Sequence, residues 1–314
     1  MTLEQVLRGR KATYFCASPE LQQTNDATVQ TGRSLRRRAF DVNNTDSGFY
    51  IKSWMDRTIQ RCRYESVATT MLMKNGGHQN ILLPTEIIEN YEGKHFVYPY
   101  MNGVTLDDYI RNTPCERDFN KILYVLEEVA KGLKHVHAQQ VVHRDVKPGN
   151  IFLRSDVDRP YGFTPVVFDW DVAGDMNERG NNVLFSGEVV GTPAYMEPLQ
   201  CEGGRLTTEF DSYALGFVVY QMFDGQLPID ESNVKTAMDV MKLQINSYRR
   251  PLHSDGIPQA VANVVDRMVK RNRNERYMGL SAMVSAFREA IRVSEVSAMK
   301  DTNNYKAGVG GVGV

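Results

Sequence analysis

The run VVHRDVKPGNIF, residues 141–152, sets His143, Arg144, Asp145, Lys147 and Asn150 between two apolar pairs, Val141 with Val142 and Ile151 with Phe152. Apolar residues at both ends anchor such a loop in a core, and loops held by a rigid scaffold are where chemistry concentrates. Asp145 has the chemistry of a base or a hydroxyl-orienting carboxylate. Lys147, two positions on, can neutralise charge on a transferred group, and Asn150 can ligate a hard cation through its amide oxygen. These are the parts of a phosphoryl-transfer site. Any one of them alone is more simply read as a polar turn residue.

The elements that must hold this loop can be read on either side of it. Before it, DFNKILYVLEEVAKGLKHVHAQQ, residues 118–140, repeats apolar residues at spacings of three and four, which predicts a helix. After it, a strand is predicted to begin at Ile151. Further upstream, FYIK (49–52) and HFVYPYM (95–101) are short aromatic and β-branched runs expected to be strands. Between them residues 55–77 place Ile59, Cys62, Val67, Met71 and Leu72 at helical spacing, with two glycines as a stop. Beyond 118 helical spacing recurs over 211–223, 233–246, 258–270 and 281–295. The pattern is α+β, with a smaller strand-rich lobe joined through YMNGV to a larger helical one, and ligand sites favour such junctions.

Composition narrows the partners. The chain has 314 residues, 42% hydrophobic and 24% charged, within the range of globular proteins. Its 37 Lys and Arg against 38 Asp and Glu leave a formal charge of -1, so no basic field argues for nucleic acid. Cys16, Cys62, Cys115 and Cys201 lie far apart without a CxxC pair, against a zinc ribbon or a disulfide framework and for a reducing compartment. No apolar leader follows Met1, and LGFVVYQMF is too short to span a bilayer, so an intracellular protein, cytoplasmic or nuclear, without membrane contact is expected. The terminal AGVGGVGV offers little side-chain surface to pack.

HRDVKPGN resembles the catalytic loop of the eukaryotic-type protein kinases, whose serine/threonine branch carries H-R-D-x-K-P-x-N. Eight matching positions make a chance polar turn a poor alternative. The resemblance implies a bilobal kinase fold, with 1–28 as an N-terminal extension, 29–101 as the N-lobe, 102–295 as the C-lobe and 296–314 as a flexible tail. VVFDWDVAG, 166–174, is similar to the family's D-F-G segment, which implies that Asp169 binds Mg²⁺ bridging nucleotide phosphates and that Asn150 holds a second ion. Trp170 there replaces a packing Phe, and Asp171 replaces Gly. The lost Gly reduces backbone freedom, so the segment is expected to flip out less readily than in other kinases.

GTPAYMEP, 191–198, resembles the substrate-docking segment of serine/threonine kinases, in which Thr192 would bond toward Asp145 and Lys147. The Glu that pairs there with a distant Arg falls on Leu199, which leaves Arg276 without its usual partner. DSYALG, 211–216, resembles the buried helix start whose Asp211 holds the catalytic loop's backbone, and Asp211 could equally be a helix N-cap. Arg144 is the family's partner for a phosphorylated activation-loop residue. Ser186 is the nearest hydroxyl, and Glu188 at the usual phosphosite could hold Arg144 or be a solvated side chain.

On the nucleotide side, Lys52 resembles the strand lysine that holds the α and β phosphates, and HQNIL, 78–82, resembles the entry to the next strand. Glu65 is assigned as the lysine's helix partner, mainly by elimination. The glycine-rich loop falls on GRSLRRRA, 32–39, which keeps Gly32 but has Ser34, Arg37 and Ala39 at the other positions. Glycines let backbone amides approach phosphates. The three arginines could replace those amides or form a solvated strand face. Tyr50 stands where a small residue covers the adenine, Tyr98 at the gatekeeper, and the backbone of Met101 at the adenine edge. A plain core strand explains the aromatics equally well.

The function implied is ATP- and Mg²⁺-dependent phosphorylation of Ser or Thr on protein substrates. Asp145, Lys147, Lys52 and Thr192 would be catalytic, and Gly32, Lys52, Glu65, Met101, Asn150 and Asp169 would bind nucleotide or metal. A pseudokinase serving as a binding or scaffolding module is the alternative, favoured by the altered glycine loop and Tyr50. A small-molecule phosphotransferase, the third reading, has no need of GTPAYMEP.

Overall fold

The structure is a computed structural model, and it describes residues 5–16, 34–41, 43–56, 59–113, 116–178, 189–252 and 256–309. Strands β1 (Gln5–Arg8), β2 (Thr13–Cys16), β3 (Ser34–Asp41) and β4 (Asn44–Trp54) precede helix α1 (Gln60–Lys74), which is followed by β5 (Glu86–Asn90) and β6 (Gly93–Pro99). Among the described residues these strands form one antiparallel six-stranded sheet in the order β1-β2-β3-β4-β6-β5. The first two strands lie within the residues expected to be an extension, yet they are hydrogen-bonded into the sheet. Buried Glu86 on β5 fastens them, accepting from the Arg10 amide, the Lys11 amide (3.2 Å) and the Tyr14 hydroxyl (3.2 Å).

The glycine-loop assignment is corrected here in part. Residues 34–39 are strand, paired with β4 through Leu35 with Ser53, Arg36 with Lys52 and Arg38 with Tyr50. Long and aromatic side chains on facing segments favour an extended ladder, which leaves no turn within 34–39 to cradle an anion. Gly32 itself lies outside the described residues.

The helical part begins after a crossing strand β7 (Gly103–Thr105) and runs through α2 (Leu106–Asn112) and α3 (Phe119–Ala138). Asp118 caps α3 by accepting from the Lys121 amide at 3.0 Å, as the polar residue before the periodic run suggests. Short strands β8 (Val141–Val142), β9 (Ile151–Ser155), β10 (Phe163–Val167) and β11 (Gly174–Asp175) follow, then α4 (Pro198–Cys201), α5 (Glu209–Asp224), α6 (Ala237–Asn246), α7 (Gln259–Met268) and α8 (Gly279–Val309). Strand β9 is flanked by β10 and β7, and β8 pairs with β11. Residues 143–150 thus leave a two-stranded ladder and enter a three-stranded sheet, which fixes both ends.

Helix α5 is apolar on all sides, and every residue from Phe210 to Tyr220 is buried, so it forms the centre of this part. Helices α3, α7 and α8 pack around it through Leu133, Val265 and Phe287. Helix α8 continues through residues 296–309, within the segment expected to be a flexible tail. In α1 the buried face is Cys62, Glu65, Ala68, Thr69 and Leu72, and Val67 is exposed. Two polar residues point inward there, which is why apolar spacing alone misphases the helix.

Candidate active site

Asp211, in the first turn of α5, organises the loop from beneath. Its fully buried carboxylate accepts from the amides of His143 and Arg144, both at 2.9 Å, and lies 2.7 Å from the His137 ring nitrogen. Thr208 occupies the helix N-cap position, so Asp211 serves the loop and not its own helix end. Burial alone raises the Asp211 carboxyl, but His137 and the loop amides outweigh it and hold the group below the ordinary carboxylate range. Arg144 sits in the left-handed region at φ 67, a conformation that costs about 1–3 kcal/mol in a non-glycine residue and persists where surroundings enforce it.

The loop's chemistry-bearing side chains converge. Thr192 donates its amide to Asp145 Oδ1 at 2.7 Å, and Lys147 Nζ reaches both the Thr192 hydroxyl (2.6 Å) and Asp145 Oδ2 (3.1 Å). Asn150 donates its amide nitrogen to the carbonyl (2.9 Å) and to Oδ2 (2.8 Å) of Asp145. That arrangement turns the Asn150 amide oxygen, the atom able to bind a cation, away from Asp145.

Asp169 is brought beside this group by main-chain bonds of its neighbour: Phe168 donates to the Asn150 carbonyl at 3.1 Å and accepts from the His143 ring at 3.0 Å. Trp170 fills the inward position, fully buried, with its indole donating to the Leu82 carbonyl at 2.7 Å and its ring 4.8 Å from that of His143. With Trp170 turned in, Asp169, at φ 70, faces the sheet and binds Lys52 at 2.6 Å.

Lys52 on β4 and Glu65 on α1, the latter paired by elimination in the sequence, lie 3.1 Å apart and buried. Glu65 also accepts from the Trp54 indole and the Tyr98 hydroxyl, each at 2.7 Å, so these two side chains orient the carboxylate. Burial alone lowers the Lys52 ammonium, but Asp169, Asp171 and Glu65 outweigh it and hold the group protonated well above its usual range. Burial likewise raises Asp169, and Lys52 and Arg36 outweigh it, keeping that carboxyl well below the usual range. Met101 lies partly buried in the connection from β6 to β7.

Four contacts were not foreseen. Arg36 on β3 reaches Asp169 Oδ2 at 3.4 Å, and Arg61 reaches Asp171 at 3.5 Å. Buried Arg144 donates to the Val172 and Ala173 carbonyls and stacks 4.6 Å over the Tyr64 ring, which links the 143–150 loop to α1. Ser186 and Glu188, its sequence-expected partners, lie outside the described residues. The fourth overturns an expectation: Arg276 is paired, 2.8 Å from buried Glu197, just before Pro198. Spacing counted from Met196 falls on Leu199, but Glu197 at the N-cap of α4 points back toward Arg276. Order along the chain is a poor guide where a helix start reverses side-chain direction.

The protein kinase domain matches residues 41–287. The chain belongs to the protein kinase family. The relatives it matches are named serine/threonine-protein kinases. It is 27% identical to the serine/threonine-protein kinase PrkC of Bacillus subtilis over 78% of this chain and 36% of that protein. The serine/threonine-protein kinase Pkn1 of Myxococcus xanthus is also 27% identical, over 75% of this chain and 32% of its own length. The serine/threonine-protein kinase PknB of Mycolicibacterium smegmatis is 30% identical over 65% of this chain and 31% of that protein. The chain spans about a third of the length of these curated relatives. No helix among the described residues is long and apolar enough to cross a membrane.

Proposed function

We propose that the chain transfers the γ-phosphoryl group of ATP, with Mg²⁺, to Ser or Thr hydroxyls of protein substrates. The observation that carries this reading is the meeting of Asp145, Lys147, Asn150 and Thr192 within hydrogen-bonding distance, beside an Asp169 that is bound by Lys52.

In this reading Asp145 orients the incoming hydroxyl and accepts its proton, while Lys147 balances charge on the transferred group and Thr192 keeps both in line. Asp169 and Asn150 offer one carboxylate and one amide oxygen, the kind of sparse oxygen set that holds Mg²⁺ when substrate phosphates complete its shell. Bound Mg²⁺ neutralises charge on the phosphate oxygens. Lys52, aligned by Glu65, holds the α and β phosphates, and the Met101 backbone meets the adenine edge. Residues 29–101 and 102–295 form the two lobes of this site. The segment at 191–198 favours a peptide acceptor over a small molecule.

The test is transfer of labelled phosphate from ATP to generic acceptor proteins, followed by identification of the labelled amino acid. Phosphoserine or phosphothreonine made by the parent and abolished in Asp145→Asn and Asp169→Ala is the expected result. Folded parent protein that transfers nothing and gains no thermal stability from ATP with Mg²⁺ overturns it in favour of a binding module.

A further inference from the structure

Strand β3 brings a second cation to the cleft. Arg36 is the direct cross-strand partner of Lys52, so both side chains leave the sheet on the same face. Their ends meet on one carboxylate: Lys52 on Oδ1 of Asp169 at 2.6 Å and Arg36 on Oδ2 at 3.4 Å. The Arg36 side chain remains 26% exposed, on the solvent side of Lys52, which is 4% exposed.

Among the described residues the cluster balances its own charges. Lys52, Arg36 and Arg61 face Glu65, Asp169 and Asp171, three cations against three carboxylates. Two neighbouring cations repel each other, and Asp169 lying between them offsets the repulsion. If Asp169 turns to a metal ion, both cations lose their shared anion together. A polyphosphate supplies a replacement at the same place, and the planar fork of a guanidinium matches phosphate oxygens with two parallel donors. Residues 34–39 are strand paired with β4, so they form no turn that wraps amides around an anion.

We infer that Arg36 is a phosphate ligand for the bound nucleotide, a side-chain cation set beside Lys52 by strand register. This rests on the nucleotide-using reading above. The opposing role is a fixed counter-ion that holds Asp169 away from metal, and the two roles predict opposite effects of removing the guanidinium.

The experiment measures equilibrium binding of ATP with Mg²⁺, and of adenosine, to the full chain and to Arg36→Ala, Arg36→Gln and Arg36→Lys. Each variant is first compared with the parent by thermal unfolding without nucleotide. Loss of a charge-assisted contact predicts an ATP Kd raised by about tenfold to about a hundredfold in Arg36→Ala and Arg36→Gln. Adenosine affinity should stay unchanged and Arg36→Lys should recover part of the loss. Unchanged or tighter ATP binding in the folded Arg36→Gln variant overturns the inference and leaves the parent's nucleotide use standing. A parent that binds neither ATP nor adenosine overturns the nucleotide reading, and Arg36's role with it.

Discussion

Removing the Glu197 carboxylate should destabilise the helical part sharply. Its partner Arg276 is buried, with a side chain 4% exposed, and its other contacts are the carbonyls of Lys270 (2.6 Å) and Arg271 (2.8 Å) and the face of Tyr213 at 4.5 Å. Truncating one member of a buried pair costs about 3–5 kcal/mol, because the other charge stays desolvated without compensation. The two carbonyls and the ring retain part of the guanidinium's stabilisation, so the low end, about 3 kcal/mol, is expected for Glu197→Ala. For a domain of this size that lowers the melting temperature by about 6–12 °C. A double-mutant cycle with Arg276→Met, followed by thermal and urea unfolding, isolates the pair, with a small residual from Arg273, which lies 3.6 Å from Glu197. A loss in Glu197→Ala below about 1 kcal/mol, the value of an exposed pair, would refute the reasoning. Additive single effects would do the same.

Asp211→Ala leaves the buried amides of His143 and Arg144 without their acceptor, which costs about 1–3 kcal/mol each, and unfolding measured against the parent should show both terms. The same carboxyl gives an acid-side signature: because its folded pKa lies below the unfolded value of about 3.9, its contribution is complete above that pH and is lost as pH falls through the folded value. Parent and Asp211→Ala should therefore converge in stability toward acid, and a gap that stays constant below pH about 3.9 contradicts the assignment. Gly103→Ala should lose about 1–3 kcal/mol in urea unfolding, since φ is 141 and an added Cβ would come 2.1 Å from the Leu153 carbonyl oxygen; an unchanged midpoint would contradict it.

Much of the candidate site is legible in the sequence because its residues sit close together on a short loop. Asp145, Lys147 and Asn150 fall within six positions, and ladders at both ends leave that loop little freedom. The inward Trp170 and the Lys52 partner Glu65 were also readable, the first from its place beside Asp169 and the second because few carboxylates lie in that helix. What sequence order conceals is direction. Glu197 reaches Arg276 because a helix begins at Pro198, and Arg36 reaches Asp169 because strand register sets it opposite Lys52. The inward face of α1 is hidden for a related reason: Glu65 and Thr69 are polar residues satisfied in the interior, so the apolar period does not mark it. The edge hairpin of residues 5–16 is too short to announce its pairing, and Glu86, the residue that fastens it, is more than seventy positions away.

The central claim is that one cleft gathers Asp145, Asn150 and Asp169 around a metal-bound triphosphate. Crystals grown with Mn²⁺ and a non-hydrolysable ATP analogue test it directly, using the anomalous signal of the ion. The account predicts manganese bound to the Asp169 carboxylate and the Asn150 amide oxygen, with Lys52 moved from Asp169 onto phosphate. A nucleotide seated on another surface, or one bound in the cleft with its metal touching neither residue, would contradict it.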